Sequence, residues 1–305
     1  MAQAPEILSS NILDRIVADK RRDLPLLKQG YPLEGRVRQR RTLSQEALLD
    51  LLEQQRIIAE IKRASPSMGQ IDMGVDHVQQ AVDYQAGGAG MISVLTDERY
   101  FSGSFTFLEE IGRKVDCPLL CKDFIIDEWQ IDAAQIAGAD AILLIVTCLV
   151  PAETEESQRL QELYDYALSK GLLPLVELYS PHERYAAYGL KPSLLGVNSR
   201  NLQSMKIDLK QGAGTLALLR RELSMPQARA IRARQGLQDL PLFVGESGIQ
   251  EPEDALVWAE GGADCLLIGT SLMLAGKNPT AGLSSAEALH RRISEFRQVF
   301  EEQHT

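Results

Sequence analysis

Four cysteines, Cys117, Cys121, Cys148 and Cys265, are all that 305 residues contain. They sit in or beside apolar runs, which fits buried, reduced thiols better than bridges or metal ligands. Histidine is equally scarce. None of His77, His182, His290 and His304 ends a strand-like run or keeps ligand spacing with a cysteine or carboxylate, which disfavours metal and histidine-dependent catalysis. Glycine-rich phosphate loops of the dinucleotide and nucleoside-triphosphate kinds are missing too, so no cofactor and no metal are expected. Positive charge runs short, with 32 Lys and Arg against 42 Asp and Glu, and the net −10 opposes approach to nucleic acid or an anionic membrane. No run reaches the roughly 18 apolar residues of a membrane span, and residues 1–10 lack a basic stretch leading into an apolar one. A cytoplasmic protein is expected, neither membrane-bound nor secreted.

Apolar residues make up 45% and charged residues 24%, enough to fill one sizeable core. The length exceeds the roughly 250 residues of an eight-stranded α/β barrel, yet falls short of two full domains. Eight short β-branched or leucine-rich runs recur, at 57–61, 91–95, 119–121, 141–146, 173–176, 194–197, 242–244 and 265–268. Segments of helical spacing separate most of them, such as Val78/Ala81/Val82/Ala86 and Leu160/Leu163/Tyr164/Ala167. This is the alternation of βαβ units around a parallel sheet, and eight of them predict closure into a (β/α)8 TIM barrel. Ala89-Gly90, Gly138-Ala139-Asp140 and Gly262-Ala263-Asp264 fall at the same place in three units, where a glycine of positive φ would stop the helix.

Residues 1–55 precede the first strand and read as a helical extension packed on the barrel of residues 56–305. An amphipathic segment (Ile12, Leu13, Ile16, Val17) opens there behind a cap at Ser10 or Asn11. Arg36, Arg38, Arg40 and Arg41 read as a solvated loop with no assigned chemistry. The longest connection, from Asn198 to Pro241, combines helical spacing (Leu216, Leu219, Leu223) with Arg229, Arg232 and Arg234, and predicts an extra helix or surface excursion.

In such a barrel the reacting groups gather at the C-terminal strand ends. The first run closes Glu60-Ile61-Lys62, and strand alternation puts Glu60 and Lys62 on one side, facing the mouth. The third ends Cys121-Lys122-Asp123-Phe124, the fifth Val176-Glu177, and the sixth continues Asn198-Ser199-Arg200-Asn201. Each alone is weak, because a strand-end charge is more often solvated or ion-paired than catalytic. Together they converge on one rim. The last two runs end Gly245-Glu246-Ser247-Gly248 and Ile268-Gly269-Thr270-Ser271, where backbone N–H groups and helix N-termini suit a phosphate. A small phosphorylated substrate is implied, with no nucleic acid and no membrane as partner.

These residues resemble the indole-3-glycerol-phosphate synthase family, through Ala59-Glu60-Ile61-Lys62-Arg63-Ala64-Ser65-Pro66-Ser67, Leu95 to Ser104 and Cys121-Lys122-Asp123-Phe124. Matches follow at Val176-Glu177, Asn198 to Leu202, Glu246 to Ile249 and Ile268 to Met273, so the resemblance covers about residues 56–274. It implies conversion of 1-(2-carboxyphenylamino)-1-deoxyribulose 5-phosphate to indole-3-glycerol phosphate in tryptophan biosynthesis, with loss of carbon dioxide and water and no cofactor. It also implies that Lys122 is the general acid toward the ketose carbonyl, that Lys62 and Glu177 are further catalytic groups, and that Glu60 positions Lys62. By the same resemblance Asn198, Arg200 and Ser65 contact substrate, and Phe101, Phe124, Leu143 and Leu267 face its aromatic ring. Ser247, Gly248, Gly269 and Thr270 match the phosphate cradle, residues 65–69 a mobile loop, and the amino-terminal helices a cover for the substrate. Thr270 stands where several relatives carry serine, and residues 224–236 look longer than in compact members. Other tryptophan-pathway enzymes are candidate partners, though nothing in the composition identifies one. A phosphoribosylanthranilate isomerase would share the anion site but gives no reason for Glu60, Lys62 and Lys122 together. A catalytically silent metabolite-binding barrel gives none for the acid–base set.

Overall fold

The chain is described here by a computed structural model covering residues 12–150, 157–201, 204–234, 236–237 and 240–302. The cap at Ser10 or Asn11, together with Leu202 and His304, lies outside the described residues.

Among the described residues ten strands run in chain order: β1 (Ile57–Ile61), β2 (Ala64–Ser65), β3 (Gly69–Gln70), β4 (Met91–Leu95), β5 (Leu119–Lys122), β6 (Ala141–Ile145), β7 (Leu173–Leu178), β8 (Leu194–Asn198), β9 (Leu242–Glu246) and β10 (Cys265–Ile268). Eight of them form the predicted closed parallel barrel, in which β1 pairs with both β4 and β10. The remaining two, β2 and β3, make a small antiparallel hairpin over residues 64–70. Because helices cover the outside and side chains fill the inside, every residue of β1, β4, β6, β7, β8 and β9 is buried. Alternation sorts them. Ile57, Ala59 and Ile61 join the layer between strands and helices, while Ile58 packs inside the barrel with Met91, Leu120, Leu175 and Val244.

Several strands extend one to two residues beyond the apolar runs, to Lys122, Leu178, Asn198 and Glu246. The apolar pattern stops early because the polar ends point into the barrel mouth. The fourth run, at 141–146, is one residue shorter than expected, since Val146 opens a short helix, Val146–Leu149.

Among the described residues two helices precede β1. α1 (Ile12–Gly30) lays Leu13 and Ile16 against the barrel mouth, and α2 (Gln45–Gln55) plugs the opposite end with Leu48, Leu49 and Leu52. Cys265, at the start of β10, donates its thiol to the Leu52 carbonyl, which fixes α2 at the strand beginnings. Of the three glycine repeats, Gly138 and Gly262 take positive φ (104° and 90°). In the first unit Gly88 does so instead, and Gly90 is bare for a different reason: a side chain there would press on Gln55 and Leu51 of α2.

The arginine cluster corrects the sequence reading. Arg38 and Arg40 are not a solvated run, because their guanidiniums lie 2.6 and 3.6 Å from the fully buried Asp140 carboxylate. That carboxylate also accepts from the Leu119 N–H at 3.0 Å. Burying it is tolerable only with these partners. The long connection after β8 does hold an extra helix, Pro226–Arg234, beyond the regular Leu209–Leu223.

Candidate active site

Glu60 faces inward because Ile58 does, two residues earlier. Lys62, just past the strand, folds back so that its Nζ donates to Glu60 Oε1 at 2.6 Å. A methyl at Gly269, just after the neighbouring strand β10, would overlap that same oxygen. Burial by itself would raise the Glu60 pKa, but the ammoniums of Lys62 and Lys122 outweigh it and hold the carboxyl below its ordinary range.

Lys122 ends β5 at the centre of the mouth. Its Nζ stands 3.2 Å from Glu177 Oε2 on β7 and 3.2 Å from Glu246 Oε2 on β9. Burial disfavours its charge, yet Glu246, Glu177 and Glu60 together reverse the balance and raise its pKa, favouring the ammonium. The second oxygen of Glu177 accepts from Asn198 Nδ2 at 3.1 Å, and Asn198 Oδ1 in turn accepts from the Arg200 N–H at 2.9 Å. Four strands thus hold one hydrogen-bonded chain.

Glu246 was not singled out from the sequence. Its carboxyl is buried, its Oε1 has no partner among the described residues, and a methyl at Gly196 would collide with it. Burial and the neighbouring Glu177 push its pKa well up, and Lys122 only partly offsets them. The available signal was parity: Val244 faces the barrel interior, so Glu246 two residues on does too.

Beside this chain lies a polar rim. Ser247 and Gly248 both take left-handed φ (69° and 75°), bending the backbone after β9, and Ser199 Oγ donates to the Ser247 carbonyl at 3.0 Å. Gly269 precedes the helix Thr270–Lys277, and both Gly269 and Thr270 line the cavity. Thr270 Oγ1 contacts Met68 Sδ at 3.7 Å, joining this rim to the β2–β3 hairpin, where Ser65 Oγ accepts from the Met68 N–H. The other side is apolar. Phe101 and Phe124 stand with ring centroids 6.1 Å apart, flanked by Leu143, Leu267 and, from α1, Leu13 and Ile16. The whole encloses a cavity of about 540 Å³, and every site residue nominated from the sequence lines it. Glu246, Met68, Leu13 and Ile16 line it without having been nominated. Among the described residues no three His, Cys, Asp or Glu side chains group as a metal would require, and no helix is long and apolar enough to cross a membrane.

A closed parallel barrel with ammonium and carboxylate groups convergent at its C-terminal mouth is the design of a (β/α)8-barrel enzyme. A solved structure described as native KDPGal shares 14% of its residues with this chain, covering 81% of it and 94% of that chain at a TM-score of 0.51, which reflects the barrel fold alone. The family model for indole-3-glycerol phosphate synthase matches residues 13–281. The indole-3-glycerol phosphate synthases of Bacillus thuringiensis (strain Al Hakam) and Bacillus mycoides (strain KBAB4) are each 40% identical over 262 residues, 86% of this chain and 92% of theirs. The chain belongs to the indole-3-glycerol phosphate synthase family.

Proposed function

We infer that this chain is the carboxy-lyase of its family, closing the indole ring of 1-(2-carboxyphenylamino)-1-deoxyribulose 5-phosphate with release of carbon dioxide and water. The observation that carries the site assignment is the Lys122 ammonium held between Glu177 and Glu246 in a cavity lined both by apolar side chains and by the Ser247-Gly248 and Gly269-Thr270 turns. The apolar side, with Phe101, Phe124, Leu143 and Leu267, suits the carboxyphenyl ring. The turns at Ser247-Gly248 and Gly269-Thr270 suit the terminal phosphate.

Attack of the carboxylate-bearing ring carbon on the ketose carbonyl places negative charge on that oxygen, and Lys122 supplies its proton. Loss of carbon dioxide then leaves a carbinol, whose hydroxyl must depart as water. Lys62, aligned by Glu60, and Glu177 are the further proton carriers for that step. Arg200, whose backbone is fixed through Asn198, offers a guanidinium fork for the carboxylate before it leaves. The substrate brings several negative charges, and Lys62, Lys122 and Arg200 line the cavity to receive them.

Purified protein should convert this substrate to a fluorescent indole product without added metal. Lys122→Ala should lower turnover about 100-fold or more while substrate still binds. An unchanged rate would remove Lys122 from the acid role.

A further inference from the structure

Lys20, in the middle of α1, is 5% exposed although it belongs to a surface helix. Its Nζ lies 2.6 Å from Asp97 Oδ2 and 2.7 Å from Asp123 Oδ1, and all three side chains are almost completely buried. Each carboxylate is already committed to the barrel mouth. Asp97 follows β4 and caps the short helix Glu98–Phe101 by accepting from the Tyr100 N–H at 2.7 Å. Asp123 follows Lys122 directly, accepts from Thr96 Oγ1 at 2.9 Å and from the Phe124 N–H at 2.7 Å. One ammonium therefore joins α1 to the two strand ends that carry Phe101, Lys122 and Phe124.

Helical spacing gives this joint its consequence. Leu13 and Ile16 lie seven and four residues before Lys20, on the same face of α1, and both line the substrate cavity. The outer links of α1 to this region, Tyr100 with Asp19 and Arg99 with Asp23, involve more exposed groups and are individually weak. Lys20 also separates two spaces: Asp97 lines both the substrate cavity and a second one of about 450 Å³ between α1 and the helices that follow β4. Without the ammonium, two buried carboxylates would face each other across an uncharged gap. Even when one carboxyl takes up a proton, the ion pairs that tie α1 to both strand ends are gone, and α1 is held there only by its apolar contacts and its exposed outer links.

We propose that Lys20 is a positioning residue of the synthase. Through Asp97 and Asp123 it docks α1 over the barrel mouth, so that Leu13 and Ile16 complete with Phe101 and Phe124 the apolar wall that grips the substrate's ring. Lys20 itself stays clear of the reacting atoms. The proposal rests on the reading of the cavity given under the proposed function.

The test compares the full-length enzyme with Lys20→Met and Asp97→Asn, measuring kcat, KM, binding of the substrate analogue whose ketone is reduced to an alcohol, and amide hydrogen exchange across residues 12–30. Lys20→Met should raise KM and weaken analogue binding about 10-fold or more, with kcat at saturation within about threefold, because uniform binding is lost and the acid–base groups are untouched. Exchange in α1 should accelerate while the barrel strands stay protected. Asp97→Asn keeps an acceptor for the Tyr100 N–H and leaves Lys20 and Asp123 as a one-to-one pair, so it folds even if Lys20→Met does not; its KM should rise about threefold. A folded Lys20→Met enzyme with unchanged KM and unchanged α1 exchange would overturn the positioning role. So would a fall in kcat at constant KM in either variant. An inactive wild-type enzyme would instead overturn the underlying reading, and the positioning role with it.

Discussion

Replacing Glu246 by glutamine should make the protein more stable and less active, and the stability gain should grow with pH. The carboxyl of Glu246 is buried, with one oxygen unpartnered and the other 3.2 Å from Lys122 Nζ. Burial and Glu177 raise its pKa well above the ordinary glutamate value of 4.5. Once the pH passes 4.5 the unfolded chain has released this proton while the folded one still holds it, so folding takes up a proton. Stability due to this group is complete below that pH and declines as pH climbs toward the folded-state value. Within the window each pH unit costs about 1.4 kcal/mol, which for a chain of this size corresponds to a Tm change of about 2 °C or more. Glutamine keeps a carbonyl acceptor for Lys122 and has no proton to lose, so it lacks this slope. Asp97, whose pKa is also raised, above all by burial, contributes equally to parent and variant and cancels in the difference. Thermal unfolding of both proteins at pH 5 and pH 7 should show near-equal Tm at pH 5 and a clear advantage for Glu246→Gln at pH 7. Turnover should drop about 10-fold or more, because the amide can neither take up nor release a proton beside Lys122. A variant whose Tm runs parallel to the parent's, or falls below it as pH rises, would refute the reasoning.

Gly196→Ala should fold yet lose about 10-fold or more in kcat/KM, since the new methyl displaces the Glu246 carboxyl, and errors of about 1 Å near the chemistry can cost about 100-fold; steady-state kinetics beside a circular dichroism spectrum decides it. Asp140→Ala should destabilise by about 3–5 kcal/mol, because it strands the Arg38 and Arg40 guanidiniums, and denaturant titration reads this directly. The same substitution should leave KM nearly unchanged, because Asp140 immediately precedes β6, at the end of the barrel remote from the mouth.

The eight barrel strands were legible because their apolar runs need no long-range information. A run such as 141–146 is buried on both faces whatever its neighbours are. The polar strand ends were legible as a set, since Glu60, Lys62, Lys122, Glu177 and Asn198 fall at equivalent places in the first, third, fifth and sixth units. What local pattern could not supply was pairing across the barrel. Glu246 stood in a quoted motif, but its interest lies in Lys122, 124 residues away, and only closure of the sheet brings the two together. The arginine cluster was misread for the same reason, its partner Asp140 lying about a hundred residues downstream. Lys20 is the clearest case. A lysine in an amphipathic helix ordinarily faces water, and nothing within α1 distinguishes this one from Arg21 or Arg22, which are exposed.

Two bare α-carbons, Gly196 and Gly269, lie beneath the oxygens of Glu246 and Glu60. Their consequence reaches anyone who would graft this reaction onto another barrel. Copying the lysines and glutamates alone would fail, because an ordinary barrel fills those seats with side chains and would push the carboxylates aside. The graft must carry over what has been removed as faithfully as what has been added.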